Sequence, residues 1–261
     1  MMTPPAAHFR IAYGTDPNQF ADLRLPIGNG PHPVAIVIHG GFWRARYDLT
    51  HIGHLCAALT ANGIATWSIE YRRVGNLGGG FPGTFIDVAA AANHLRTIAS
   101  QHQLDLDRVI VLGHSAGGHL ALWYAGIESV PYDSPIYTPS SLHVRAAIAL
   151  AGVSDLRRAS ELKLSESIAD EFMSGTPSQV PERYRAASPI ELLPISARQI
   201  LLHGTADNDV PIEMSQHYVE TARARGDNAT LISFPRTGHF ELIDPASNAW
   251  QRLLQTIKTV L

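Results

Sequence analysis

A single cysteine, Cys56, in a chain of 261 residues rules out an intrachain disulfide framework and fits a reducing compartment such as the cytoplasm. No run approaches the 18 uninterrupted apolar residues that a membrane-spanning helix needs, so no membrane span is expected. Charge is also sparse: 16% of residues are charged, with a formal net charge of −3 and a pI near 6.5. That balance excludes a nucleic-acid surface and a polybasic membrane patch, so neither nucleic acid nor membrane is an expected partner. The first residues, Met1-Met2-Thr3-Pro4-Pro5, carry neither a basic n-region nor an apolar h-region, and no secretory signal is expected. There is no repeat of fixed period. Nothing sets an oligomeric state, and a homodimer is carried beside the monomer.

Apolar residues are plentiful, at 45%. Together with the length, they suit one large α/β domain with a sizeable core. Short strands are expected over 8–13 and 20–25, split by the turn signal Gly14-Thr15-Asp16-Pro17-Asn18. Val34 to Ile38 is a continuous, mostly β-branched run, as for a strand buried on both faces of a parallel sheet. A helix over 49–61 stops at Asn62-Gly63, and a strand runs from Ile64 to Tyr71. A glycine-rich loop, 72–83, precedes an alanine-rich helix over 84–101. It lacks the G-x-x-x-x-G-K-[ST] pattern of a phosphate loop.

Further strands are expected at Arg108–Leu112, Arg145–Ala151, Gln199–His203 and Ala229–Phe234, with helices at Gly118–Ala125, Ile212–Arg225 and Ala246–Leu261. Residues 154–194 break the alternation, with four prolines and only short helical patches. A stretch that long without a strand predicts a lid or cap insertion within a single domain, 1–261. The expected fold class is α/β, with a mostly parallel central sheet covered by helices on both faces.

Gly113-His114-Ser115-Ala116-Gly117 sits between a predicted strand and a predicted helix, the context that gives G-x-S-x-G its meaning. A serine at the tip of such a turn has strained dihedrals, and glycines two residues either side remove side chains that would collide there. Its hydroxyl stands above a helix N-terminus, where negative charge is favoured. A serine hydroxyl needs an adjacent general base at neutral pH. Of thirteen histidines, His239 lies on a loop after a late strand, at the sheet end where ligands collect. Asp207 and Asp209 leave the preceding strand; Asp207 is taken as the orienting carboxylate and Asp209 as the N-cap of the next helix. The order Ser115…Asp…His239 is that of α/β-hydrolases.

An oxyanion needs donors fixed in advance. The Ala116 amide supplies one, and His39-Gly40-Gly41-Phe42-Trp43, after the third strand, supplies the others through Gly41 and Phe42. Trp43 and His114 are candidate substrate-binding residues, and Phe81, Trp123 and Tyr132 are candidates for a pocket lining. His119 is expected to bond within the fold, and Glu70-Tyr71-Arg72-Arg73 to brace the following loop. His51 and His54 lie one helical turn apart without a carboxylate or cysteine to complete a metal site, so no metal is expected.

His39–Trp43, Gly113–His119, His203-Gly204-x-x-Asp207-x-x-Val210-Pro211 and Gly238-His239 together resemble the α/β-hydrolase superfamily over about residues 33–261. Within it the chain is similar to esterases of the hormone-sensitive-lipase type and, more closely, to the arylformamidase (kynurenine formamidase) group with its H-G-G-[FYW]-W loop. The resemblance implies Ser115 as nucleophile, Asp207 as acid, His239 as base, and no metal or cofactor. It implies a small-molecule ester or amide substrate, with an exopeptidase or a non-catalytic binding protein of the same fold as alternatives. Phe42, where a third glycine often sits, is a departure that bears on the second oxyanion donor.

Overall fold

The computed structural model describes residues 3–261. Eight strands form one sheet in the order β1-β2-β4-β3-β5-β6-β7-β8. They are β1 (Phe9–Ala12), β2 (Phe20–Arg24), β3 (His32–Ile38), β4 (Ala65–Ile69), β5 (Leu104–His114), β6 (Ala146–Leu150), β7 (Arg198–Gly204) and β8 (Ala229–Phe234). β1–β2 and β2–β4 pair antiparallel, and every later pair is parallel. The helices are α1 (Gly53–Ala61), α2 (Gly83–Ile98), α3 (Ala116–Ala125), α4 (Leu156–Glu161), α5 (Leu164–Met173), α6 (Pro181–Ala187), α7 (Ile212–Ala224) and α8 (Trp250–Lys258).

The continuous apolar strands acquire their meaning from the period of two along a strand. Val34, Ile36 and Ile38 face one hydrophobic layer with Val109, Val111 and Leu201, where α2, α3 and α7 pack. Ala35 and Val37 face the other, with Ile110, Leu112, Ile200 and Leu202, against α1 and α8. Both faces are therefore covered, as the sequence predicts.

Boundaries shift where tertiary pairing overrides local signals. β5 begins at Leu104 rather than Arg108, because His32 and Pro33 pair with Leu104 and Asp105 before the register shifts at Val34. The last helix begins at Trp250 rather than Ala246. The 49–61 helix opens with a tighter turn, Leu49–Ile52, held by Asp48 accepting the Thr50 amide. Residues 154–194 contain α4, α5 and α6 and no strand; Ile168, Phe172, Met173 and Tyr184 are buried in the same layer as α2 and α3.

No helix among the described residues is long and apolar enough to cross a membrane.

Candidate active site

Ser115 joins β5 to α3 with φ 57° and ψ −120°, a left-handed conformation that costs about 1–3 kcal/mol in a non-glycine residue. Its amide donates to the Leu150 carbonyl of the neighbouring strand (2.8 Å), and its carbonyl accepts the His119 amide (3.1 Å). The flanking glycines are required by space. A Cβ at Gly113 would lie 2.0 Å from the Gly117 carbonyl oxygen, and one at Gly117 would lie 2.1 Å from that of Ile38. The turn is thus pressed against the end of β3, and the loop carrying His39–Trp43 starts there. Gly40 continues the contact: its Cβ would meet the His114 carbonyl oxygen at 2.8 Å and the Ser115 Cβ at 3.1 Å.

Asp207 follows β7 and His239 follows β8. His239 Nδ1 lies 2.6 Å from Asp207 Oδ2, and the Asp207 side chain is fully buried. An ionised carboxylate only accepts, so Nδ1 carries the proton and Nε2 keeps its lone pair. Asp207 Oδ1 accepts the amides of Asp209 and Val210, each at 2.9 Å. Burial alone would raise the Asp207 pKa, but hydrogen bonds from His203 and His239, with the His239 charge and the Val210 amide, outweigh it and hold it well below the usual carboxylate range. The two loops are joined by main chain. Thr205 N–H donates to the Phe234 carbonyl (2.9 Å) and Ala206 N–H to that of Thr237 (3.0 Å). Gly204 passes so close that a Cβ would sit 2.1 Å from the Thr237 oxygen.

Asp209 differs from expectation. Pro211 occupies the N-cap position of α7 without a side-chain cap, and the exposed Asp209 instead donates its amide to Asp207.

The glycine loop is held from beneath. Buried His39 places Nε2 2.9 Å from Glu70 Oε1 and stacks on Tyr71, whose hydroxyl donates to the His39 carbonyl (2.8 Å). Glu70 also contacts Arg73 at 2.6 Å and accepts the Leu49 amide at 3.0 Å. Burial opposes its ionisation, yet His39 and Arg73 hold its pKa below the ordinary value. Arg72 pairs with buried Asp87 at 2.6 Å, so the Glu70–Arg73 stretch braces its loop as its charges suggest. Gly41 has φ 109°, where a Cβ would also strike Tyr47. Phe42, with φ 49°, takes the left-handed conformation without being glycine. Ala116 opens α3, so its amide has no partner within the helix.

Two expected substrate contacts are placed elsewhere. Trp43 is 1% exposed, stacked on Phe172 (4.6 Å between ring centres) and edge-on to His119. Its loop turns inward because Phe42 and Trp43 are both left-handed, which drives the indole into the core. His114 is also buried, and both ring nitrogens are engaged: Nε2 with the His239 carbonyl and Nδ1 with His51 Nε2, each at 3.0 Å. Neither nitrogen is left for a substrate. Trp123 is wholly buried and Tyr132 is exposed on the surface. His119 Nε2 donates to the Ala187 carbonyl (2.9 Å), as expected of a histidine bonding within the fold.

Sequence reasoning missed His51 and Phe240. The Phe240 ring stands perpendicular to that of His239 at 5.2 Å, and Phe240 and His51 line a cleft of about 580 Å³ with Ala57, Ala58 and Ile243. Phe240 had a local signal, adjacency to His239; His51 had none. Among the described residues, one group has metal-ligand spacing: single atoms of Asp207, Asp209 and His239 lie within 4.8 Å of one another. Two of its members already bond each other.

Comparison with known proteins follows the same lines. The BD-FAE family model matches residues 21–221. The chain belongs to the BD-FAE family. It is 28% identical over 246 residues to Esterase LipC of Mycobacterium tuberculosis, covering 91% of this chain and 60% of LipC. It is 23% identical over 245 residues to a Kynurenine formamidase of Danio rerio, covering 90% of this chain and 75% of that one. The chain thus spans about 60% of the length of LipC, the more similar of the two. Among solved structures, a truncated carbohydrate esterase from gut microbiota superposes with a TM-score of 0.81 at 22% identity, covering 99% of both chains. The architecture is that of an α/β-hydrolase.

Proposed function

We propose that this BD-FAE member is a metal-free serine hydrolase that transfers acyl groups from carboxylic esters or activated amides to water. The observation that carries the reading is the 2.6 Å His239–Asp207 bond. It leaves Nε2 of His239 as a free base, on a loop whose ring lies 4.4 Å from that of His114, the residue before strained Ser115. Ser115 Oγ attacks the substrate carbonyl carbon while its proton passes to His239 Nε2. The carbonyl π pair moves to oxygen, where the amides of Gly41, Phe42 and Ala116 receive it. Each such donor is worth about 10²–10³ in rate. Collapse breaks the bond to the leaving group, which takes the proton from Nε2. Water then adds to the acyl-enzyme, giving its proton to Nε2, and the Ser115 Oγ–carbon bond breaks as Oγ is reprotonated.

A small acyl or aryl ester, or an N-formyl arylamine such as N-formylkynurenine, suits this site. The similarity to LipC supports the ester, and the similarity to a kynurenine formamidase supports the formyl amide. Residues 154–194 are read as a lid, supported by two contacts to the glycine loop: Phe172 on Trp43, and the Ser165 carbonyl accepting from Arg44 (2.7 Å). The lone buried Cys56 suits a cytoplasmic setting.

The test is fluorophosphonate labelling, followed by turnover of N-formylkynurenine beside a p-nitrophenyl ester chain-length series. An adduct on Ser115 and loss of turnover in Ser115→Ala are expected. No adduct at Ser115, or unchanged turnover in the variant, refutes the reading. Faster turnover of N-formylkynurenine than of any ester selects the formamidase form.

A further inference from the structure

Two histidines outside the Ser115–His239–Asp207 set lie in line behind the base. His114 Nε2 is 3.0 Å from the carbonyl oxygen of His239, 125 residues away, and His114 Nδ1 is 3.0 Å from His51 Nε2. The hydrogen positions follow from the acceptors. A carbonyl oxygen cannot donate, so His114 Nε2 carries a proton. A neutral imidazole has one N–H, so His114 Nδ1 is a lone pair, and the facing His51 Nε2 must then carry its own proton. A charged His114 would set N–H against N–H.

Burial works in the same direction. It pushes the His114 pKa well below its ordinary value, helped by the neighbouring His239 and His51 charges, while the His239 carbonyl and Asp207 oppose it. Burial also pushes His51 down to about 4, with His39 and His239 adding to it and Asp48 opposing. Both rings are therefore neutral wherever the base itself must be neutral to act.

We propose that His114 and His51 are positioning residues for the base: the two hydrogen bonds, His51 Nε2–H to His114 Nδ1 and His114 Nε2–H to the His239 carbonyl, set where the His239 ring stands relative to Ser115. The inference rests on the serine-hydrolase reading above. His114 is suited to the task because it is bonded covalently to Ser115 and by hydrogen bond to the His239 main chain. It ties nucleophile and base through one rigid ring, whose centre lies 4.4 Å from that of His239. A side chain at position 40 would crowd the ring, since a Cβ on Gly40 would sit 3.2 Å from His114 Nδ1. Phe240 closes the remaining side, 5.9 Å from His114 and 6.0 Å from His51. His51 is the outermost link, in the wall of the 580 Å³ cleft.

The experiment combines NMR of the ¹⁵N-histidine-labelled full chain with steady-state kinetics on p-nitrophenyl acetate. The His114 signal is identified by its loss in His114→Gln. His114 is expected as the Nε2–H tautomer, unchanged between pH 5 and 8. His114→Leu, which removes the donor, is expected to lower kcat about 10–100-fold with KM within about threefold, the size of effect that follows from a displaced reacting group. His114→Gln, whose amide places an N–H where Nε2–H stood, is expected to return kcat to within about threefold of the wild type, and His51→Phe to lower it about 3–10-fold. A purely structural role would lower the melting temperature without this recovery or the kcat-only loss. An Nδ1–H tautomer at His114, wild-type kcat in His114→Leu, or a His114→Gln no faster than His114→Leu overturns the proposal. Should His114→Leu not fold, the tautomer and the His51→Phe rate decide. A wild type that neither labels at Ser115 nor turns over substrate refutes the hydrolase reading instead, and the tautomer still decides the hydrogen-bond chain.

Discussion

Lowering the pH from 7 to 4.5 should destabilise the protein through its buried histidines, His51, His114 and His119 among them, and the share of His119 can be worked out from the structure. Its ring is fully buried among Trp43, Phe85 and Phe172. Nε2–H is spent on the Ala187 carbonyl, and Nδ1 has no partner. A proton arriving at Nδ1 would point into aromatic carbon, and burial accordingly pushes the pKa down to about 4. The unfolded chain offers the same imidazole at about 6.5. The unfolded state therefore binds more protons between these values, and stability is full above the unfolded value and falls as pH drops towards the folded one. At pH 4.5 the unfolded ring is almost wholly charged and the folded ring is mostly neutral, a difference of about 2.5 kcal/mol. Urea unfolding followed by circular dichroism at pH 7, 6, 5 and 4.5 measures it, in the wild type and in His119→Phe. His119→Phe should lose about 1 kcal/mol at pH 7 with its hydrogen bond, and should show a pH dependence shallower by about 2.5 kcal/mol. Parallel curves for the two proteins over that interval would refute the reasoning.

Three further outcomes are expected. Asp207→Asn keeps an acceptor for the Asp209 and Val210 amides but turns an N–H towards His239, reversing its tautomer; kcat/KM should fall about 10⁴-fold, whereas exposed Asp209→Asn should stay within a few-fold, and equal losses in the two would show the acid assigned wrongly. Gly117→Ala puts a methyl 2.1 Å from the Ile38 oxygen, a backbone atom that cannot step aside, so a loss of at least about 2 kcal/mol in urea unfolding is expected together with loss of fluorophosphonate labelling. Glu70→Gln leaves buried Arg73 and His39 without their carboxylate, at a cost of about 3–5 kcal/mol. Because the Glu70 pKa is lowered in the fold, its contribution is whole above the unfolded value of about 4.3 and is lost as pH falls below it; the wild type should show this limb in its urea midpoints and the variant should not.

Much of the architecture was legible because it depends on local pattern. Val34–Ile38 and Arg108–Leu112 announce buried parallel strands, and Gly113–Gly117 announces its own turn, since a Cβ at either flanking glycine would overlap backbone. Asp207 and His239 were legible because both follow strand ends in the order that brings them together, and their 2.6 Å contact is the result. What escaped depended on partners remote in sequence. The His51–His114 bond spans 63 residues and the His114–His239 bond 125, and no periodicity encodes either. Trp43 looked like a pocket residue from its motif, yet the left-handed backbone at Phe42 and Trp43 turns it onto Phe172 of a segment over a hundred residues away. Asp209 has the composition of a helix cap, but α7 starts only after Pro211, which takes the N-cap position and leaves Asp209 two residues short of it.

Besides the His239–Asp207 bond itself and the Arg236 amide on the Thr205 hydroxyl, the loops bearing Asp207 and His239 are stitched by peptide groups, Thr205 to Phe234 and Ala206 to Thr237. Main-chain bonds are indifferent to most substitutions, so the spacing between acid and base is insulated from drift at exposed positions such as Ala206 and Asn208. The same insulation does not extend to residues 154–194, where side-chain packing holds α4, α5 and α6 in place. On the proposed reading of residues 154–194 as a lid and of Asp207 and His239 as acid and base, a lineage carrying this fold can remodel what the site admits by changing the helical segment while it inherits the pair intact.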